Sequence, residues 1–136
     1  MSHTCSAIVV HCIDFRLEPS IHEFLKEHEL LGDCDIVGIA GAAKCFDGGS
    51  DQETLMKQIK ISSDLHKISK VILMNHTDCG AYGGRDAFTD RDEEDAAHKK
   101  ALGHAKGVLA SEFPHLEVKE YIAQIESDGG IHIEHV

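Results

Sequence analysis

Short apolar runs that alternate with helix-like segments constrain the fold of this chain more than any other feature. Continuous runs such as Ile8-Val9-Val10 and Val71-Ile72-Leu73-Met74 are typical of strands buried on both faces of a sheet. The sequence predicts strands at residues 5–12, 35–40, 70–75 and 117–125, and an edge strand at 131–136 that returns after a turn at 127–130. Helices between them give the order β-α-β-α-β-α-β-β. Such alternation builds a mainly parallel sheet with right-handed crossovers.

We therefore predict a three-layer α/β fold, in which a mainly parallel β-sheet is flanked by helices and ends in an antiparallel C-terminal edge strand. A chain of 136 residues is long enough for one domain with a substantial core. No linker, repeat or low-complexity segment divides the sequence. Residues 1–136 are accordingly predicted to form a single domain.

Helix boundaries are predicted from prolines, glycines and capping residues. The first helix has Pro19 near its first turn, includes Leu31 in its apolar stripe and stops at Gly32. The second opens at the capping-box pattern Ser50-Asp51-Gln52-Glu53, and Leu65 is among the residues expected to face inward. The third covers about residues 90–112, with Thr89 as its cap and Pro114 beyond its end.

The charge and the apolar content exclude several classes of partner. A formal net charge of −11 argues against nucleic acid, because phosphate binding needs clustered lysine and arginine. No apolar run approaches the roughly 18 residues of a membrane span, and the N-terminal residues lack the regions of a secretory signal. We expect a cytoplasmic protein. The five acidic residues within 90–95 are interpreted as the solvated start of the third helix.

Five cysteines occur in the chain, and their pattern separates them into two groups. The odd count, the absence of a secretory signal and the absence of C-x-x-C argue against a disulfide framework or a zinc ribbon. Cys5, Cys34 and Cys45 are interpreted as buried, small apolar residues. Cys12 and Cys79 differ, because each belongs to a polar cluster at the end of a predicted strand.

Those two polar clusters predict a metal site. Parallel strands end at one edge of the sheet, where ligands of α/β folds bind, so Cys12 is expected to meet His76 and Cys79 there. Two thiolates and an imidazole suit zinc, and three protein ligands leave a fourth position open, as in catalytic zinc sites. Asp14 and Arg16 lie on the same face of an extended chain as Cys12 and can pair.

Two other interpretations of these residues fit the spacing less well. His11-Cys12 followed by an arginine is similar to the phosphatase loop H-C-x5-R, but only three residues separate Cys12 from Arg16. The alternative of two unconnected buried cysteines and a hydrogen-bonded histidine would suit a lone H-x-x-C motif. It is less compatible with a second cysteine motif at a neighbouring strand end.

Taken together, C-x-D-x-R after the first strand, Ala-Gly after the second and H-x-x-C-G after the third resemble the β-class carbonic anhydrases. The resemblance is close over about residues 5–84 and loose beyond. It implies an α/β domain that works as a homodimer or higher homo-oligomer, with sites at the dimer interface. The residues that it assigns are the zinc ligands Cys12, His76 and Cys79, the catalytic dyad Asp14 and Arg16, and Gly41, whose backbone lies near the substrate.

The implied activity is the reversible hydration of carbon dioxide to bicarbonate by a zinc-bound hydroxide. The chain departs from the family pattern at Gly38-Ile39-Ala40-Gly41, where Arg-Asn-Ala-Gly is usual, and Phe15 replaces a small residue. Its first predicted strand starts at about residue 5, so we also expect it to lack the N-terminal helices with which family members embrace a partner. Two alternatives therefore stay open: a carbonyl sulfide or carbon disulfide hydrolase of the same fold, and a non-catalytic zinc-binding relative.

Overall fold

A computed structural model describes residues 3–136 of the chain. Within these residues, one five-stranded sheet has the strand order β2-β1-β3-β4-β5. Its strands are β1 (Ala7–His11), β2 (Cys34–Gly38), β3 (Lys70–His76), β4 (Glu117–Ile125) and β5 (Ile131–His135). The first four are parallel, and β5 pairs antiparallel with β4. The predicted α/β class, with its antiparallel C-terminal edge strand, is confirmed.

Helices cover both faces of this sheet and make three layers. Along β1, Ile8 and Val10 face α2 (Ser50–His66) and α3 (Arg91–Glu112), in a core that includes Leu73. Ala7 and Val9 face the opposite side, where they share a second core with α1 (Glu18–Glu27). Since both faces are buried, the central strands are apolar without alternation, which is why the sequence shows them as continuous runs.

The first helix ends earlier than the sequence predicts. It runs from Glu18 to Glu27, and Glu29 then adopts a positive φ of 57°. This reversal changes the side-chain phase, so that Leu30 is buried whereas Leu31 is 46% exposed. Gly32 does have a positive φ, of 70°, but it lies in the following turn rather than at the end of the helix. The prediction of a helix through Leu31 was therefore wrong.

The predicted caps of the other two helices were also wrong by one residue. Ser50 is the first residue of α2, and the preceding Gly49 is its N-cap with no capping side chain. Asp90, not Thr89, caps α3 by accepting a hydrogen bond of 2.8 Å from the Glu93 backbone N–H. On α2, Leu65 is 62% exposed instead of facing inward.

The arrangement of strands decides where a site can form. In the register between β1 and β3, His11 lies opposite Met74, so the residues that follow both strands emerge side by side. Among residues 3–136, no helix is long and apolar enough to cross a membrane.

Candidate metal centre

Three predicted ligands converge at the carboxyl edge of the sheet. Cys12 directly follows β1, His76 is the last residue of β3, and Cys79 lies in the turn beyond it. One ligand atom from each residue lies within 4.8 Å of the others, and the two sulfur atoms are 3.9 Å apart. All three side chains are buried. The structure thus contains a buried Cys-His-Cys group that can hold a metal ion.

The His76 ring is the most informative member of this group. It is 1% exposed, and its Nδ1 atom donates a hydrogen bond of 2.7 Å to the carbonyl oxygen of Thr77. That bond leaves Nε2 with its lone pair, and this buried atom has no hydrogen-bond partner. An unsatisfied buried polar atom is costly, whereas an imidazole fixed by one nitrogen and open at the other is the usual form of a metal ligand. The site therefore fits a metal.

The two thiols share a proton in the absence of a cation. The hydrogen bond from Cys79 lowers the pKa of Cys12, and backbone N–H groups of Gly41 and Asp14 lower it further against the effect of burial. The same hydrogen bond raises the pKa of Cys79. One sulfur is thus prepared as a thiolate, and the second would lose its proton to an incoming cation.

Asp14 and Arg16 form the predicted pair. Arg16 donates from Nε to Oδ1 of Asp14 at 3.0 Å and from Nη2 to Oδ2 at 2.8 Å, in the bidentate geometry that gives strong ion pairs. The hydrogen bond from Arg16 lowers the pKa of Asp14 to about 2. Asp14 Oδ2 lies 3.9 Å from His76 Nε2. An ionised carboxylate is therefore held beside the three candidate ligands without joining them.

Arg16 is itself held by a residue that sequence analysis did not identify. Its Nη1 atom donates to Oδ2 of Asp78 at 3.1 Å, and its Nη2 atom donates to the Asp78 carbonyl oxygen at 3.0 Å. Asp78 has a positive φ of 55° and lies between the candidate ligands His76 and Cys79. One guanidinium thus ties the segment after β1 to the turn after β3.

Glu94 supports this turn from beneath. Its Oε2 atom accepts a hydrogen bond of 2.7 Å from the Asp78 backbone N–H, and its Oε1 atom lies 3.7 Å from Nε of Arg85. Glu94 is only 1% exposed, so the interpretation of the whole acidic run as solvated was wrong at this residue. A signal was present in the sequence, since Glu94 continues the buried α3 stripe through His98 and Leu102 with a spacing of four.

A second buried network surrounds Asn75, the neighbour of His76. Asn75 accepts a hydrogen bond of 3.0 Å from the Ala43 N–H, and its Nδ2 atom donates to the Tyr82 hydroxyl at 2.9 Å and to Nδ1 of His98 at 3.0 Å. Burial lowers the pKa of His98 to about 4, so this ring is neutral. The network joins β3 and α3 to the turns after β2 and β3.

Gly41 lies where only glycine fits. Its φ is +89°, and a Cβ atom there would come within 3.0 Å of the Ala81 Cβ atom. Its backbone N–H interacts with the Cys12 sulfur, so the predicted site residue Gly41 contacts this group through the main chain. The structure brings all six predicted site residues into one region: Cys12, Asp14, Arg16, Gly41, His76 and Cys79.

An apolar patch borders this region on the side of edge strand β2. Phe15 is 85% exposed and Ile13 is 65% exposed, and both line a shallow hollow with Ile36 of β2 and Asp14. The substitution of Phe15 for a small residue therefore adds apolar surface at the rim instead of filling the interior.

Comparisons with known proteins agree with this geometry. Residues 2–128 match the family described as "Putative carbonic anhydrase". Uncharacterized proteins of Rickettsia conorii and Rickettsia bellii are 27% and 28% identical over 127 residues, which cover 89% of this chain and 68% and 77% of theirs. The structure described as that of the beta-carbonic anhydrase CcaA matches all of this chain and 84% of its own, with a TM-score of 0.54 and 14% identity. At that identity the likeness shows the fold alone.

Proposed function

This chain belongs to the putative carbonic anhydrase family, and from that premise we propose that it catalyses the reversible hydration of carbon dioxide to bicarbonate. In this proposal Cys12, His76 and Cys79 hold a zinc ion, and Asp14 and Arg16 form the catalytic pair. The observation that carries it is the buried His76 Nε2 atom, which has no hydrogen-bond partner and faces two thiols and a carboxylate. Two thiolates and one neutral imidazole match the preference of zinc for sulfur and nitrogen donors.

When bound, zinc makes the chemistry possible by acidifying water to near neutral pH, where it becomes a nucleophile. The chain's own contribution is to orient that water. The Asp14 carboxylate is ionised, and its Oδ2 atom accepts one hydrogen bond from Arg16. The same oxygen can accept a second hydrogen bond from a water molecule near His76. An acceptor fixed in this way selects one orientation of the attacking oxygen, and such positioning lowers the barrier.

Arg16 keeps Asp14 available for this role. The carboxylate is close enough to the three ligands to compete for the metal, because Oδ2 is only 3.9 Å from His76 Nε2. Two hydrogen bonds to the Asp14 carboxylate and two to Asp78 hold the guanidinium between the two segments. Gly41 stays a predicted substrate contact, and its N–H gives it a further role at the Cys12 sulfur.

Stopped-flow hydration of carbon dioxide by zinc-loaded protein, measured across pH, tests the proposal. We expect wild-type turnover, and a loss of about 100-fold in zinc-replete Asp14→Ala, since a positioned acid or base is worth about 10²–10⁴ in rate. Asp64→Ala is the matched control, because Asp64 is an exposed carboxylate of α2 that pairs with Lys60.

Two results would contradict the proposal in different ways. If fully zinc-loaded wild-type protein shows no hydration activity at any pH, carbon dioxide hydration is not its reaction. Sulfide release from carbonyl sulfide in the same samples would then identify it as a hydrolase of that substrate. Near-normal turnover of Asp14→Ala would overturn only the role of Asp14. The cytoplasmic location, the homodimer and the single-domain boundary stay predictions.

A further inference from the structure

A second group of potential metal ligands lies near the amino ends of β1 and β2, at the opposite end of these strands from the candidate metal centre. Cys5 precedes β1, Asp35 is the second residue of β2, and His66 is the last residue of α2. One ligand atom from each lies within 4.8 Å of the others. Cys5 and Cys12 are seven positions apart in the sequence, so the two groups are about 23 Å apart along the extended chain.

The contacts within this group leave it open to solvent. All three residues are half-buried. His66 Nδ1 hydrogen-bonds Oδ2 of Asp35 at 2.6 Å, and Ser62 donates to the same oxygen at 2.5 Å. The His3 ring contacts the His66 ring edge-on, with 4.6 Å between centroids. The His3 ring therefore lies beside this group, next to His66.

Cys5 lies at the margin of the core: its side chain is half-buried and packs against the apolar cluster that contains Ile8 and Val10. Its own donor contact, to the Ala7 carbonyl oxygen, is long at 3.6 Å. Burial and the nearby Asp35 carboxylate raise the pKa of Cys5, and the backbone N–H groups of Ala7 and Asp35 act in the opposite direction. The prediction that Cys5 packs as a small apolar residue is therefore confirmed in part, since its sulfur also lies beside Asp35 and His66.

We propose that Cys5, Asp35 and His66 form a second binding site for a thiophilic divalent cation of the zinc type. One thiolate and one carboxylate would balance the double charge of the ion, and a neutral imidazole completes a mixed set that zinc accepts. An ion bound by both residues would replace the proton that His66 Nδ1 and Asp35 Oδ2 now share. The ion would fasten the N-terminal segment to β2 and to the end of α2.

Metal stoichiometry of the full chain tests this site independently of activity. We expect two equivalents of zinc per wild-type chain, measured after equilibration with excess zinc, and one equivalent in Cys5→Ser and in His66→Ala. Cys34→Ser is the matched control, because Cys34 is also half-buried but packs against the other face of the sheet. It should keep both equivalents.

Titration with Co²⁺ adds a thiolate-specific readout, since a surface histidine site lacks a sulfur-to-cobalt charge-transfer band. Part of this band should persist in Cys12→Ser/Cys79→Ser and disappear when Cys5→Ser is added. If the buried double variant fails to fold, the single variant Cys5→Ser provides the test, because Cys5 is only half-buried. This variant should lose the weaker phase of the Co²⁺ titration. Thermal stability of wild type should rise with zinc beyond the first equivalent.

The outcomes separate the two sites. A single equivalent in wild type that Cys12→Ser removes would overturn the second site and leave the proposed function standing. Two equivalents with an unchanged thiolate band in Cys5→Ser would also overturn it. A single equivalent that only Cys5→Ser removes would support the second site and contradict the proposed zinc ligands.

Discussion

Each end of β1 has a cysteine close to a histidine and an aspartate, but the burial and the hydrogen bonds of these residues differ between the two ends. At the carboxyl end, Cys12 and His76 are buried and Asp14 is held 3.9 Å from the imidazole by Arg16. At the amino end, Cys5 is half-buried, and Asp35 is hydrogen-bonded directly to His66 with no arginine between them. Similar residue types therefore differ in whether the aspartate stands apart from the imidazole or is joined to it.

This difference determines what each group does without a metal. The buried group retains an unpartnered nitrogen and two thiols that share one proton, so it is incomplete by itself. The half-buried group satisfies its histidine and its carboxylate with one another. We infer that a metal has more to contribute at the carboxyl end, and that its binding there is tighter. Five predictions test this contrast.

The largest effect is expected from Cys79→Ser. The hydroxyl is a poor substitute for a thiolate toward zinc, so the variant should lose the tightly bound metal and all measurable hydration activity. Zinc content by atomic spectroscopy and stopped-flow rates check this. Cys45→Ser is the control, because Cys45 is also buried, lies outside the group and only donates to the Ala40 carbonyl oxygen. Full activity in Cys79→Ser would show that Cys79 matters no more for activity than Cys45. It would contradict the proposed difference between the two ends of β1.

Arg16→Gln should have the next largest effect. Without the guanidinium, Asp14 is no longer held away from the ligands, and we expect about a 100-fold loss of kcat with zinc retained. The control is Arg91→Gln, since Arg91 pairs with Glu126 on the surface. If Arg16→Gln kept its rate, the separation of Asp14 from His76 would not depend on the arginine.

Glu94→Ala should destabilise the protein moderately. The substitution leaves the N–H of Asp78, in a part-buried turn, without its charged acceptor, which costs about 1–3 kcal/mol in the free energy of unfolding. Urea denaturation measures the change, and Asp92→Ala provides an exposed acidic control on the same turn of α3. A change equal to that of the control would mean that Glu94 does not support the turn that carries Cys79.

A smaller effect is expected in acid, in metal-free protein. The pKa of Asp14 is about 2 in the folded state and about 4 when unfolded, so the unfolded chain binds more protons between these values. The stability from this group is present above pH 4 and is lost as the pH falls toward 2. Denaturation midpoints should therefore depend less on pH in Arg16→Gln, which also releases Asp78.

The corresponding change in His66→Gln should be smaller still. Burial opposes ionisation of Asp35, but hydrogen bonds from Ser62 and His66 lower its pKa overall, and Ser62 remains in the variant. The pair is also partly exposed, and such pairs contribute little. If His66→Gln changed the acid dependence of stability more than Arg16→Gln did, Asp35 would contribute more than Asp14. That result would contradict the expected order of the two effects.

The sequence was most predictive where chain topology alone brings residues together. Cys12 directly follows β1 and His76 is the last residue of β3, and these strands are paired in parallel, so their proximity could be predicted once the two apolar runs were recognised. Asp78 was missed because its role depends on a positive φ and on a guanidinium 62 residues away in sequence. Glu94 was missed because a charge within an acidic run was assigned to solvent, although helical periodicity placed it inward.

Helix ends were predicted least well, for a local reason. The first helix contains an apolar stripe that continues to Leu31, but the positive φ at Glu29 reverses the chain before it. Nothing in a glutamate distinguishes it as the residue that adopts this conformation, because the turn is stabilised by the burial of Leu30. Such a choice depends on tertiary packing, which periodicity along one helix does not contain.

The apolar patch of Ile13, Phe15 and Ile36 has a consequence for how the protein responds to dilution. Ile13 and Phe15 flank Asp14 in the chain, so a partner that covers this patch also lies against the segment that carries that carboxylate. Association through an apolar surface is driven by the burial of apolar area and is governed by mass action. If the predicted homodimer uses this surface, the proposed activity per chain becomes dependent on protein concentration.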